Sequence, residues 1–339
     1  MRRLELEDAL FQGAVSLERG HGWVRPWRIP YEDLPLFPPD GVGGTAQIPA
    51  GVRVGCLSDT RSVRLDWEPV AQGVTVDCVV EDRLVASTTA APHAGSACFT
   101  DLDPGSKRLE LYLSQCVGMR LTGLWVDDGA SAVPPPSGRR RWLTYGSSIT
   151  QCRQAASPAE TWPALVARRN RLDLTCFGFA GNCHLEPMVA CLLRDRPTDL
   201  ISLCLGINVQ GGATLAPRTF RPAVIGFVHL VREGHPGVPI AVMSPIVSPP
   251  RETAPNAVGL SLTRMRDEIR DAVEALRGRG DRDVHYVDGL ELFGPEAADY
   301  LPDQLHPNAE GYRMLAKSFQ RLVAEPLFGL PPQGRPADG

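Results

Sequence analysis

Lysine is nearly missing from this chain: of 35 basic residues only Lys107 and Lys317 are lysines, and the rest are arginine. The skew fits GC-rich bacterial coding better than any function. A formal net charge of −4 and a sequence pI near 6.0 leave no broad cationic surface, so neither nucleic acid nor an anionic membrane is expected as a partner. The one compact basic run, Arg139-Arg140-Arg141, reads as a solvated junction, with phosphate or CoA binding as its alternative. No stretch of about 20 apolar residues exists to span a bilayer. Glu5, Glu7 and Asp8 fall where a secretory leader has its apolar core, and a cytoplasmic protein is expected. The nine cysteines are odd in number and scattered through apolar stretches, with no C-x-x-C among them. Cys176, Cys183, His184 and Cys191 lack metal-ligand spacing, so reduced core thiols are expected, without metal or other cofactor. Also lacking are a G-x-S-x-G elbow, a P-loop and a G-x-G-x-x-G after a strand. Their lack argues against the ordinary α/β-hydrolase arrangement and against an ATP or dinucleotide enzyme.

What is present divides the 339 residues into two patterns. Residues 1–133 show short alternating runs, such as Val63-Arg64-Leu65-Asp66-Trp67 and Leu109-Glu110-Leu111-Tyr112-Leu113, separated by turn clusters. That spacing predicts a small antiparallel β-sandwich. A Pro-rich linker, 134–140, follows. From residue 141 to 326, short apolar strands alternate with helices, which predicts a doubly wound α/β domain with a parallel sheet. Strands are expected at 141–145, 172–179, 200–205, 240–244 and 284–287, and Ser157-Pro158-Ala159-Glu160 reads as a capping box opening a helix. Residues 327–339, with Pro331, Pro332, Gly334 and Pro336, are expected to form a flexible tail.

Four clusters carry the chemistry. Gly146-Ser147-Ser148-Ile149-Thr150 follows the first strand, Ala180-Gly181-Asn182 the second, Gly206-Ile207-Asn208 the third, and Asp303-Gln304-Leu305-His306-Pro307-Asn308 the fifth. In a doubly wound sheet the carboxyl ends of the strands share one edge, so a scatter over roughly 160 residues of sequence does not keep the clusters apart. Ser148 at a Gly-containing strand-to-helix turn suits a nucleophile, and His306 with Asp303 suits a base with its orienting carboxylate. The main-chain N–H groups of Ser148 and Gly181 and the amide of Asn208 suit an oxyanion. Each cluster alone has a plainer use as a cap or turn: Asp303 or Asn308 to cap a following helix, Ser148 to cap its own. His184 is the one rival base, because it follows the Gly181 loop.

As a set, the clusters resemble the GDSL, or SGNH, hydrolase family, whose four blocks carry Ser, Gly, Asn and His. They fall on Ser148, Gly181, Asn208 and Asp303-x-x-His306. The resemblance covers roughly residues 141–325. It implies a flavodoxin-like three-layer α/β/α domain and a serine acyl enzyme acting on a carboxylic ester or thioester without metal. Its substrates would be small acyl esters or thioesters. Two positions depart: Ser147 stands where the family usually has Asp, and Val209 where an Asp usually follows the third-block Asn. A β-sandwich ahead of such a unit is similar to bacterial carbohydrate esterases and to actinobacterial acyltransferases that decorate polyketides, such as a salicylyl transferase. Hydrolysis is therefore the first expectation, and transfer to an alcohol acceptor the alternative. A remote third is a non-catalytic carbohydrate-binding protein using Trp67 and Trp125.

Overall fold

In the computed structural model, which describes residues 1–332, five parallel strands form the second half's sheet. They are β1 (Arg141–Gly146), β2 (Asp173–Gly178), β3 (Leu200–Cys204), β4 (Ile240–Met243) and β5 (Val284–Val287), ordered β2-β1-β3-β4-β5. The helices around it are α1 (Ser148–Gln151), α2 (Trp162–Arg169), α3 (Pro187–Asp195), α4 (Ile207–Gly212), α5 (Pro217–Gly234), α6 (Leu262–Gly278) and α7 (Ala309–Phe319), with a further short helix at Gly289–Leu292. α2 packs on α7, while α3 packs on α5 and α5 on α6, which gives the two helical layers. Trp142 of β1, Trp162 of α2 and Phe319 of α7 meet at ring-centroid distances of 5.0–5.9 Å. Tyr145, of opposite parity on the same strand, stacks on Phe227 of α5 instead. One strand thus feeds both layers, as its unbroken apolar run requires.

The first half holds two antiparallel sheets. One runs in the order Ser16–Gly20, Trp23–Trp27, Leu121–Val126, Val63–Trp67 and Ser96–Phe99. The other runs Ala132–Val133, Arg53–Ser58, Lys107–Tyr112, Val74–Val80 and Arg83–Ala90. Val63, Leu65 and Trp67 point into the core between them, and Arg64 stacks over Trp125 at 4.7 Å. The two candidate sugar-stacking tryptophans are therefore a buried core ring and a ring covered by a guanidinium.

The alternation expected around 109–113 does not separate wet from dry, since every residue of Lys107–Tyr112 is buried. The outer face of that sheet is covered by the α/β domain, and polar groups there are paired instead of hydrated. Glu110 meets Arg53 and Arg108, and Arg53 reaches across to Asp173 at 2.7 Å and the Leu174 carbonyl at 2.7 Å. Arg28, wholly buried, donates to the carbonyls of Thr45, Cys176 and Gly178 and lies over Phe179; burial lowers its pKa to about 10, so it remains charged at neutral pH. Trp27, Ile29, Phe37, Val42 and Ala46 join the α/β core.

Two local expectations are corrected. Ser157 caps nothing: its hydroxyl donates to Asp77 of the sandwich, which also accepts the Ala159 N–H at 2.7 Å, and 158–160 is a single 3-10 turn. Helix α2 starts later, capped by Thr161. Of the tail expected from residue 327, Phe328 and Leu330 are packed into the α/β core, and residues 333–339 lie outside the described ones. The Arg139-Arg140-Arg141 junction is bonded: Arg139 forks onto Asp82, Arg141 pairs with Asp199, and Arg140 donates to the Phe328 carbonyl. No helix among the described residues is long and apolar enough to cross a membrane.

Candidate active site

β1 ends at Gly146, where a side chain would collide with Thr150, so the chain can turn tightly into α1. Ser147 caps that helix by accepting the Ile149 N–H at 3.2 Å, and Ser148 is its first residue. After four residues α1 stops at Cys152, whose φ of 60° is left-handed. Gly178 at the end of β2 lets α1 lie directly on the strand, since a Cβ there would strike the Thr150–Gln151 main chain. The Ser148 N–H, at an open helix start, has no hydrogen-bond partner among the described residues.

Ser148 Oγ lies 2.7 Å from His306 Nε2, and His306 Nδ1 lies 2.6 Å from Asp303 Oδ2. Asp303 Oδ1 also accepts the N–H groups of Leu305 at 3.1 Å and His306 at 2.7 Å, which fixes the carboxylate in a turn whose bend falls on Gln304, φ 59°. Burial alone would raise the Asp303 pKa, but hydrogen bonds from the His306 main chain and ring, with that ring's charge, outweigh it and bring the value to about 2. A carboxylate can only accept, so the proton sits on Nδ1 and Nε2 is left to accept the Ser148 hydroxyl. Asn308, not Asp303, caps α7 through the Gly311 N–H. From the Pro-rich 247–256 segment, Ser248 donates to the Gln304 carbonyl at 2.8 Å and so supports the turn that bends at Gln304.

The loop after β2 spends its polar groups on its own shape. The Ala180 N–H donates to Gln151 Oε1, Asn182 Nδ2 to the Ala180 carbonyl, the Asn182 N–H to Phe179, and the Cys183 N–H to Asn208 Oδ1. His184 holds the Gly181 carbonyl at 2.9 Å with one ring nitrogen and Thr214 with the other, so the structure brings His306 and not His184 to Ser148. Tyr145 and Glu186 brace the loop's far end: the Tyr145 hydroxyl donates to Glu186, which also accepts the His184 N–H. Gly181, at φ 74°, keeps its N–H without a partner among the described residues, and a Cβ there would meet open space. Asn208, in the first turn of α4, has its orientation settled by the Cys183 N–H, which must face Oδ1. Its Nδ2 is left without a partner among the described residues. The two departures sit quietly: Val209 is core, and buried Ser147 borders a small apolar cavity with Ile149, Leu205 and Ile207. Sequence reading missed Gln151, Tyr145 and Glu186, whose mutual or loop partners become neighbours only in the folded chain, and gave Asn182 no role of its own beside its near neighbour Ala180.

Residues 144–314 match the model of the GDSL-like lipase/acylhydrolase family. The chain belongs to that family. It is an enzyme of acyl chemistry, as both the family and the fold indicate. Residues 9–116 match a second model, the N-terminal domain of SsfX3. Among solved structures it resembles the salicylyl-acyltransferase SsfX3 from a tetracycline biosynthetic pathway, at 34% identity, TM-score 0.89, covering 95% of this chain and 96% of that one. A Bacteroides ovatus protein described as a GDSL-like lipase matches at 19% identity and TM-score 0.76, over 95% and 96% of the two chains. A family two carbohydrate esterase from Clostridium thermocellum matches at 14% and 0.64, over 83% and 93%. No curated protein sequence matches the chain.

Proposed function

We propose that the protein makes an acyl-enzyme on Ser148 from a small carboxylic ester or thioester and passes the acyl group on. The observation that carries this reading is the Ser148–His306–Asp303 relay at 2.7 and 2.6 Å. His306 Nε2 takes the Ser148 proton as Oγ bonds to the acyl carbon. The Ser148 and Gly181 N–H groups with Asn208 Nδ2 hold the oxyanion, and Asp303 offsets the charge that forms on the ring. The intermediate collapses, the bond to the alcohol or thiol breaks, and His306 returns the proton to the leaving group. In the second half an incoming hydroxyl gives its proton to His306 as it attacks the acyl carbon, and the bond to Oγ then breaks as His306 returns that proton to Ser148.

That hydroxyl belongs to water in hydrolysis and to an alcohol in transfer. Near-complete mutual coverage with an acyltransferase at 34% identity, sandwich included, supports the alcohol. The 14% match to a carbohydrate esterase speaks for the fold alone. Incubation with a salicylyl thioester and a panel of polycyclic phenols and sugars is expected to yield an acylated acceptor by mass spectrometry. Salicylic acid as the sole product across the panel would leave hydrolysis.

Asn208→Ala is expected to lower kcat roughly 10²- to 10³-fold, because one preorganised donor is lost where negative charge develops. Steady-state release of p-nitrophenol from p-nitrophenyl acetate measures it, and an unchanged kcat in folded protein would remove the amide from the mechanism.

A further inference from the structure

One buried side chain ties the sandwich to the loop of the candidate oxyanion site. Gln151, wholly buried at the end of α1, donates from Nε2 to the carbonyl of Gln115 at 3.0 Å and accepts at Oε1 the N–H of Ala180, also at 3.0 Å. The orientation of the amide is not open: a main-chain N–H only donates and a carbonyl only accepts. Gln115 lies just beyond the sandwich strand Lys107–Tyr112. Beside it, Arg153 donates to the Cys116 carbonyl at 3.1 Å, so two successive sandwich carbonyls hold the last residue of the nucleophile helix and the chain that follows it. On the loop side, Asn182 Nδ2 holds the Ala180 carbonyl at 2.7 Å, and that carbonyl shares its peptide plane with the Gly181 N–H. Turning the Gly181 donor about its own peptide would break the bond to Asn182, and shifting Ala180, which carries that peptide, would break the bond to Gln151.

We infer that Gln151 is a positioning residue through which the N-terminal sandwich sets the aim of the Gly181 N–H, so that the first domain takes part in turnover. This rests on the reading of that N–H as an oxyanion donor. A displacement well under the width of an atom degrades such a donor, because its benefit depends on meeting the oxyanion at hydrogen-bond distance.

Two full-length variants test it with p-nitrophenyl acetate across a pH series, each checked for folding by thermal melting. Gln151→Leu removes both bonds and is expected to lower kcat about 10- to 100-fold with KM within about twofold. Gln151→Glu keeps glutamine's shape. Ionised, it accepts from Ala180 but faces the Gln115 carbonyl with lone pairs; protonated, it donates to that carbonyl again. Its kcat relative to wild type is expected to recover as pH falls, which a merely space-filling side chain would not produce, and this readout stands even if the leucine variant fails to fold. A folded Gln151→Glu with wild-type kcat at every pH, or with a loss that pH does not change, overturns the inference. Asn208→Ala run alongside separates the causes. If it too keeps wild-type kcat, the oxyanion reading has failed; if it loses turnover while the Gln151 variants do not, only the role of the sandwich has failed.

Discussion

Ser148→Ala is expected to lower turnover of p-nitrophenyl acetate by about 10⁶-fold, the scale on which serine acyl enzymes lose rate when the nucleophile is removed. The hydroxyl sits 2.7 Å from His306 Nε2, and among the described residues no second hydroxyl is bonded to that ring. Without Oγ the imidazole has no proton to take and the acyl carbon nothing to bond. What remains is polarisation of the carbonyl by the three N–H groups, which speeds attack by water only modestly. The variant removes one oxygen from a short helix capped by Ser147 and supported by Gly146 and Gly178, so the fold should persist. Intact mass after fluorophosphonate treatment gives the second readout: one adduct in wild type and none in Ser148→Ala. An adduct of equal yield in the variant would place the nucleophile elsewhere.

The parallel domain was legible because its signal is local. Each of the five strands is a short apolar run between helices, and observed boundaries such as Val284–Val287 differ little from those read off the chain. The meeting of the four clusters was legible for a topological reason, since strands ordered β2-β1-β3-β4-β5 bring their carboxyl ends to one edge. What failed depended on the other domain. Ser157 has the right neighbours for a cap, yet Asp77, 80 positions earlier, takes its hydroxyl. Glu110 and Tyr112 look like the wet side of a strand, but the α/β domain lies against them, with Arg53 supplying the counter-charge. Phe328 and Leu330 sit in a Pro- and Gly-rich end and still find the Phe319 layer.

The finer design of the site was not legible either. GSSIT and GIN announce a serine and an asparagine, but the loop after β2 leaves the Gly181 N–H over while the Ala180, Asn182 and Cys183 N–H groups and the Ala180 and Gly181 carbonyls have partners. Which N–H is left over depends on Gln151 and Asn182 folding back onto Ala180, and no spacing rule encodes that. Hydrogen-bond partners in an irregular loop belong to the three-dimensional arrangement, whereas apolar periodicity belongs to the element itself.

Asp303→Asn should be the second most damaging change, lowering kcat about 10⁴-fold with little change in KM. The native carboxylate has two tasks: Oδ1 receives the main-chain N–H groups of Leu305 and His306, and Oδ2 receives the ring at 2.6 Å. In the asparagine variant the two main-chain donors claim the carbonyl oxygen, which turns the amide NH₂ toward His306 Nδ1. A donor there forces Nδ1 to become an acceptor and moves the ring proton to Nε2, where it points at Ser148 and blocks proton removal. The turn is kept and the chemistry is lost, so melting should hardly change. In the wild type, with the Asp303 pKa held near 2, the carboxylate stays ionised far below the neutral range. Because the folded value is depressed, its contribution to stability is present above the ordinary carboxylate range and fades only as pH falls toward 2. A fall in wild-type kcat between pH 7 and 4 would then report on a group other than Asp303. Asp303→Asn retaining more than a tenth of wild-type kcat at neutral pH would show that the ring finds its tautomer without this carboxylate.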